Sequence, residues 1–347
     1  MRKFINVQSV KTALLLLLML SSGFSGCICD NDNPIQNSSV PQLKSSLLIS
    51  TDAGENWTVK AIGSQSELNN LCYSYSTGGY RIVVSGHDGV VLNTLNYGET
   101  FSNSGPFSGF SYYGAGFSAS DGRITLTSGS NNFVASTDGG ETWYTKSTGN
   151  LFISYIDINP ALTLFQAACS IGDRKNIYIS TNGGNNWIVK SADAGNDDDF
   201  CGIRFVRGNI ILAYGADGLM LRSTNYGENW SRITLPATSR IISAACNFEW
   251  QTVVSNTNLS GKFLKSTDLG STWELKDIVR VNGYTPDKFA MSYSGEVFGA
   301  GVSGSMAKST DMGETWRVIQ SGTDANFKDI IYINNSLMAA LAFKQVY

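Results

Sequence analysis

The chain has one histidine in 347 residues, and no Ser/His/Asp constellation can be assembled without that residue, His87. Charged side chains are also scarce. They make up 15% of the sequence, below the quarter or so usual in globular domains, and Ser, Thr and Asn do most of the solvating. There is no Lys/Arg-rich run and the net charge is −3, which argues against nucleic acid as the main partner. No C-x-x-C pair occurs, so zinc and redox chemistry lack a ligand frame. The apolar run from Ala13 to Leu20 is eight residues long, too short to span a bilayer. What the chain has in quantity is glycine, 36 residues, as suits a fold with many tight turns.

The first residues read as an address rather than as structure. Met1, Arg2, Lys3 and Lys11 give a positive start, the apolar run follows, and then small residues lead to Cys27. Residues 1–26 are therefore expected to be a signal peptide. Phe24-Ser25-Gly26-Cys27 resembles the bacterial lipobox, with Phe24 where Leu is usual. That resemblance implies that Cys27 becomes an acylated N-terminus, held by several chains more firmly than one would hold it. Ile28 follows Cys27, so the Asp associated with inner-membrane retention is absent there, which tilts the expectation towards the outer membrane. The alternative is plain secretion. Residues 27–42, rich in Asn, Asp, Ser and Pro, read as a flexible tether.

A repeat organises the rest. Ser50-Thr51-Asp52-Ala53-Gly54-Glu55-Asn56-Trp57 returns as Ser136 to Trp143 and as Ser309 to Trp316. Softer copies keep the frame. The third residue of the motif falls at Asp52, Asn96, Asp138, Asn182, Asn225, Asp268 and Asp311, at spacings of 44, 42, 44, 43, 43 and 43. Trp57, Trp143, Trp187, Trp230, Trp273 and Trp316 close six copies, and Phe101 closes the other.

A period near 43 fits either paired helices or propeller blades, and the residues between motifs decide. Cys201 to Arg207, Asn209 to Gly215, Leu219 to Ser223 and Trp230 to Ile233 are four short runs broken by turns such as Gly215-Ala216-Asp217-Gly218. No helical spacing persists through them. Four strands per repeat predict an all-β, seven-bladed β-propeller over residues 43–347, built of four-stranded antiparallel blades. The ends predict its closure. One strand, Ser45 to Ile49, precedes the first motif, and two extra runs, Asp329 to Asn334 and Ser336 to Leu341, follow the last blade and complete the first.

The motif matches the Asp-box, S-x-D-x-G-x-[TN]-W, also called the BNR repeat. A copy in every blade resembles the propeller family of photosystem II stability and assembly factors, here in the form of a bacterial lipoprotein. That resemblance implies a non-enzymatic protein that holds a partner during assembly. The clustered arginines expected of photosynthetic members are missing. Sialidases share the Asp-box but have six blades and an Arg-Ile-Pro signature that this chain lacks. In this reading the Asp-box residues are scaffold, since Asp or Asn can fold the chain into a hairpin by bonding backbone N–H groups nearby.

Candidate function falls on the opposite face, where the turns between second and third strands and the loops between blades converge. His87 and Asp88, Asp217, the acidic stretch Asp197-Asp198-Asp199, and the aromatics Phe107, Phe110 and Tyr112 are placed there. Aromatic rings among polar groups suit protein or sugar binding. Against this, His87 and Asp217 are turn residues, the acidic stretch is a solvated loop, and Tyr112 and Tyr113 pack in an inner strand. Asp88, Asp121, Asp217, Glu249 and Asp287 are the carboxylates a glycosidase pair would draw on, and none is singled out by its context. Cys201 and Cys246 fall on adjacent repeats, as a disulfide or as buried thiols. The expectation is a non-enzymatic scaffold on the cell envelope, monomeric, without metal or cofactor, that binds an envelope or extracellular protein. A carbohydrate-active or carbohydrate-binding propeller is the alternative.

Overall fold

The computed structural model describes residues 42–76, 79–105, 111–118, 123–127, 132–147, 153–158, 167–171, 176–182, 185–190, 199–247 and 249–346. Cys27, the signal peptide and all but the last residue of the tether lie outside them, as do Phe107, Phe110, Asp121, Asp197 and Asp198.

One repeat shows why the sequence folds as it does. Phe200–Arg207, Ile210–Gly215, Met220–Ser223 and Ser231–Arg232 form one antiparallel sheet. Its first three strands are mostly buried and its last is exposed. A strand covered on both faces reads as a continuous apolar run, whereas an outermost strand can be polar. The second strand turns into the third through Ala216–Gly218, where Asp217 takes a left-handed φ of 49°. The same turn recurs at His87–Gly89, with Asp88 at 57°, and at Val302–Gly304, with Ser303 at 54°.

Among the described residues the strands make seven such four-stranded sheets. The first joins the two ends of the chain. Gln42–Ser50 pairs with Thr58–Ala61 on one side and with Met338–Val346 on the other, and Met338–Val346 pairs in turn with Asn326–Tyr332. The innermost strands neighbour one another in order: Asn326–Tyr332, Leu68–Ser76, Gly114–Ser118, Ile153–Ile158, Phe200–Arg207, Ala244–Asn247 and Lys288–Met291, with Lys288–Met291 against Asn326–Tyr332. The core lies between consecutive sheets. Leu212 and Met220 of the fifth sheet pack with Val253, Leu264 and Trp273 of the sixth, and Phe298 and Met306 of the seventh pack with Leu48 and Met338 of the first. The architecture is an all-β propeller with four-stranded blades.

The repeated motif is the hairpin between third and fourth strands. In all seven copies its third residue accepts a bond of 2.8–3.0 Å from the backbone N–H four residues on. A Ser or Thr hydroxyl two residues earlier donates to the same side chain. Burial pushes the Asp311 carboxyl up, but the bonds from Thr315 and Ser309 more than offset it and hold it at about 2, as expected where several donors stabilise the charged form.

The motif also ties each sheet to the one before. Gly54 turns with a φ of +84°, and a Cβ there would meet the Phe298 ring at 2.3 Å. The Trp57 indole stands edge-on to the same ring at 5.5 Å. Trp316 does likewise to Phe263 at 5.3 Å. Cations of the preceding sheet reach the motif's sixth residue: Lys308 lies 3.1 Å from Glu55 and Lys265 lies 2.5 Å from Glu314.

Candidate functional site

The innermost strands enclose a cavity of about 570 Å³. Each contributes a short apolar run, but three of the runs carry a charged residue near the middle: Asp157, Arg204 and Asp329. All three line the cavity, together with Lys288 and Lys328. A bulge between Phe327 and Asp329 leaves Lys328 unpaired in the ladder, so that two successive side chains, Lys328 and Asp329, both line it. Bulges re-aim side chains in this way. Matching shifts occur between Leu68 and Asn70, Ile153 and Tyr155, and Phe200 and Gly202.

The carboxylates are engaged with backbone. Asp157 accepts from the Phe205 N–H of the next sheet at 2.8 Å. Asp329 accepts from Leu71 N–H at 3.0 Å, across the junction of first and second sheets, and from Ile330 N–H at 2.9 Å. Ser243, just ahead of the sixth sheet, takes Phe289 N–H of the seventh at 3.0 Å. An inner strand has no neighbour on its cavity side, and these side chains supply acceptors to backbone donors that would otherwise be unpaired. Arg204 lies against Asp157 and Cys246. Its Nε is 4.0 Å from Asp157, and its side chain, 41% exposed, lines the cavity.

Burial dominates the titration of these groups. It pushes the Asp157 carboxyl up despite Arg204 and the two backbone bonds it accepts, and it pushes Asp329 to about 6. The Cys246 thiol and the Tyr214 phenol are likewise raised. Cys72, Cys201 and Cys246 form no disulfide, and the raised Cys72 and Cys246 thiols are poor nucleophiles. Among the described residues no group of three metal-ligating side chains comes together.

Asp329 gives a pH prediction. Both folded and unfolded chains carry it protonated well below pH 4. As pH rises, the unfolded chain ionises first, so the folded state loses stability up to about pH 6 and the loss is complete above it. At 1.36 kcal/mol per unit the loss is about 1–3 kcal/mol for a half-buried group. Urea midpoints measured at pH 4.5 and pH 7.5 should therefore differ less in Asp329→Asn than in the unaltered protein, after both are corrected to the same slope. An equal difference would remove Asp329 from the account.

The residues expected on the face away from the motif are dispersed. Tyr112 is corrected: it is fully buried, its carbonyl accepts from Asn70, and it offers no ring to a partner. The exposed ring is its neighbour Tyr113, 46% accessible, standing edge-on to His87 at 5.9 Å. His87 Nδ1 lies 3.0 Å from Ser111 Oγ. Asp88 accepts from Ser66 and holds a turn, as Asp217 does. Asp199 is 4.0 Å from Arg240. Asp287 sits 4.0 Å from Lys288, and Glu249 lies on an exposed hairpin. The cavity charges belong to no repeated motif, because their partners lie far along the chain. The available signal was a charge inside an apolar strand, as in Ile156-Asp157-Ile158 and Ile203-Arg204-Phe205.

No protein-family model and no curated protein matches the chain. Solved structures do. YCF48 from Cyanidioschyzon merolae superposes with a TM-score of 0.62 at 19% identity, covering 81% of this chain and 97% of that one. A structure of YCF48 bound to D1 peptide gives 0.61 at 14% identity, covering 88% and 98%. The GH74 enzyme of Niastella koreensis gives 0.58 at 19% identity, covering 79% of this chain but only 43% of that one. Likenesses at these identities speak to the fold.

Proposed function

We propose that this chain is a non-enzymatic binding scaffold, a closed seven-bladed propeller of the Asp-box type carried on the bacterial envelope by a lipid at Cys27. The carrying observation is the use made of the cavity carboxylates. Asp157 and Asp329 each accept backbone N–H groups of a neighbouring strand, an arrangement suited to holding strands together rather than to cleaving a bond. The order of inner-strand neighbours and the pairing of Gln42–Ser50 with Met338–Val346 support closure. The likeness to YCF48, one structure of which holds a peptide, supports both the resemblance to assembly factors and a protein partner. The partner is placed over the cavity mouth opposite the motif hairpins, against Tyr113 and His87. Fold alone does not give function, and the likeness to a GH74 enzyme favours a second reading, a carbohydrate-active propeller.

One experiment separates them. Cells fed radiolabelled palmitate express the chain with a photo-crosslinker at Tyr113 or at Ile188, an exposed position on the outermost strand of the fourth sheet. The expected outcome is a palmitate-labelled adduct with one discrete protein from position 113 and none from 188. Equal adducts, or none from 113, would defeat the scaffold reading. So would release of reducing sugar from a polysaccharide that Asp329→Asn abolishes. An unlabelled chain would defeat the anchor.

A further inference from the structure

The motif junctions are not all alike, and the junction of second and third sheets is polar without a cation just before its motif. The residue just before each motif copy sits on a third strand. At three junctions it is a long cation, where Arg222 Nε donates to Leu269 O at 2.9 Å, Lys265 pairs with Glu314 and Lys308 with Glu55, and at three it is apolar: Ile49, Ala135 and Ile179. At the second sheet that position is Asn93, which is shorter, and the cation comes from the adjacent strand as Arg81, paired through Nη2 with Glu141. The space left is a cleft of about 540 Å³ lined by Arg81, Asn93, Ser102, Ser104, Glu141 and Trp143.

Its hydrogen bonding is incomplete. Three other copies turn the Trp indole N–H onto their own motif glycine, at 3.1 Å in each case. Here the Gly140 carbonyl accepts from Asn93 Nδ2 at 2.9 Å, and the Trp143 N–H goes to Ser104 Oγ at 3.1 Å. Ser104 Oγ accepts from Asn93 as well, so its own proton points elsewhere. The Arg81 side chain is 8% exposed and Asn93 is 3% exposed, yet Arg81 Nε and Asn93 Oδ1 find no partner among the described residues. A buried donor and a buried acceptor, each unpaired, are the exception in folded proteins.

We infer that this cleft is a binding site for a neutral polyhydroxylated ligand, a saccharide unit. Arg81 and Glu141 cancel each other's charge, so a charged ligand gains nothing from the cleft. A hydroxyl both donates and accepts, which matches Asn93 Oδ1 on one side and Arg81 Nε or the Ser104 proton on the other. The half-buried Trp143 ring gives the apolar face of a pyranose a surface to cover. Arg81 and Asn93 line the cleft, and the Arg81–Glu141 pair beside them stays formed when the ligand is bound.

The test is saturation-transfer NMR on the whole protein with glucose, galactose and N-acetylglucosamine at millimolar concentration. Transfer is expected to at least one of them. Asn93→Lys installs the residue type found at the equivalent Lys265 and Lys308 and fills the cleft. It should lower transfer about tenfold, the factor for losing one hydrogen bond of this strength, without lowering the melting temperature. Should Asn93→Lys not fold, Ser102→Trp covers the cleft from its exposed rim and should do the same. No transfer to the unaltered protein, or transfer that persists in the folded variant, would overturn the inference.

Discussion

Deleting Met338–Val346 is expected to leave a chain that no longer unfolds cooperatively. That strand lies between Gln42–Ser50 and Asn326–Tyr332 and pairs with the first over nine residues. Its Met338, Ala339, Ala340, Leu341 and Ala342 have no exposed surface. Removing it takes those side chains from two cores at once, one shared with Phe298 and the other with Leu68 and Ile82. It also strips the hydrogen-bonding edge from both neighbouring strands, each of which becomes a template for aggregation. The lost burial and pairing are on the order of 10 kcal/mol, comparable with the whole net stability of a typical domain. Urea unfolding followed by tryptophan fluorescence checks this. A truncated chain with an unchanged slope and a modest shift in midpoint would mean that the first sheet is dispensable and the propeller does not depend on it.

Gly54→Ala is the second large effect. Two penalties combine there. The backbone φ of +84° is poorly tolerated by residues with a side chain, and the new methyl would lie 2.3 Å from a ring carbon of Phe298 and 3.0 Å from the Met338 sulfur. Phe298 is fully buried and braced by Trp57, so it has nowhere to move. Strain and overpacking together are expected to cost about 2–4 kcal/mol. Gly283→Ala separates the two penalties, because Gly283 has nearly the same φ, +85°, with nothing within 4 Å of the added atom. Its cost should be about 1 kcal/mol, from the backbone alone. In melting temperature the pair should then differ by several degrees, at roughly 2–4 °C per kcal/mol for a chain of this size. Equal losses would mean that the motif glycines serve the turn only and not the contact between sheets.

The motif was legible because its physics is local. Asp311 bonds groups within four residues of itself, so the residue types needed stand side by side in the sequence and recur wherever the turn recurs. The period of about 43 and the four runs within it likewise declare four strands, since a run's length and its turns are properties of neighbours. The extra strands at the two ends were countable for the same reason.

The cavity was not legible. Asp157 is bonded to a backbone N–H 48 residues away and Asp329 to one 258 residues away. Nothing near either residue announces such a partner. Tyr112 and Tyr113 make the point at one step of the chain. Successive residues of an extended segment face opposite ways, so one ring had to be buried and the other exposed. The sequence contains both, and only the register of the segment against Gly86 and Asn70 selects Tyr112 for the interior. Asn93 is the same case between sheets. Alone it is a polar residue before a motif. It lines a cleft because it is too short to fill the space that Arg222, Lys265 and Lys308 fill at their own junctions. The sequence by itself determined the repeat, the strands and the turn chemistry, which depend on residues close along the chain. Tertiary structure decided which charges share a cavity and which junction stays open, because those follow from side-chain lengths and registers compared across neighbouring sheets.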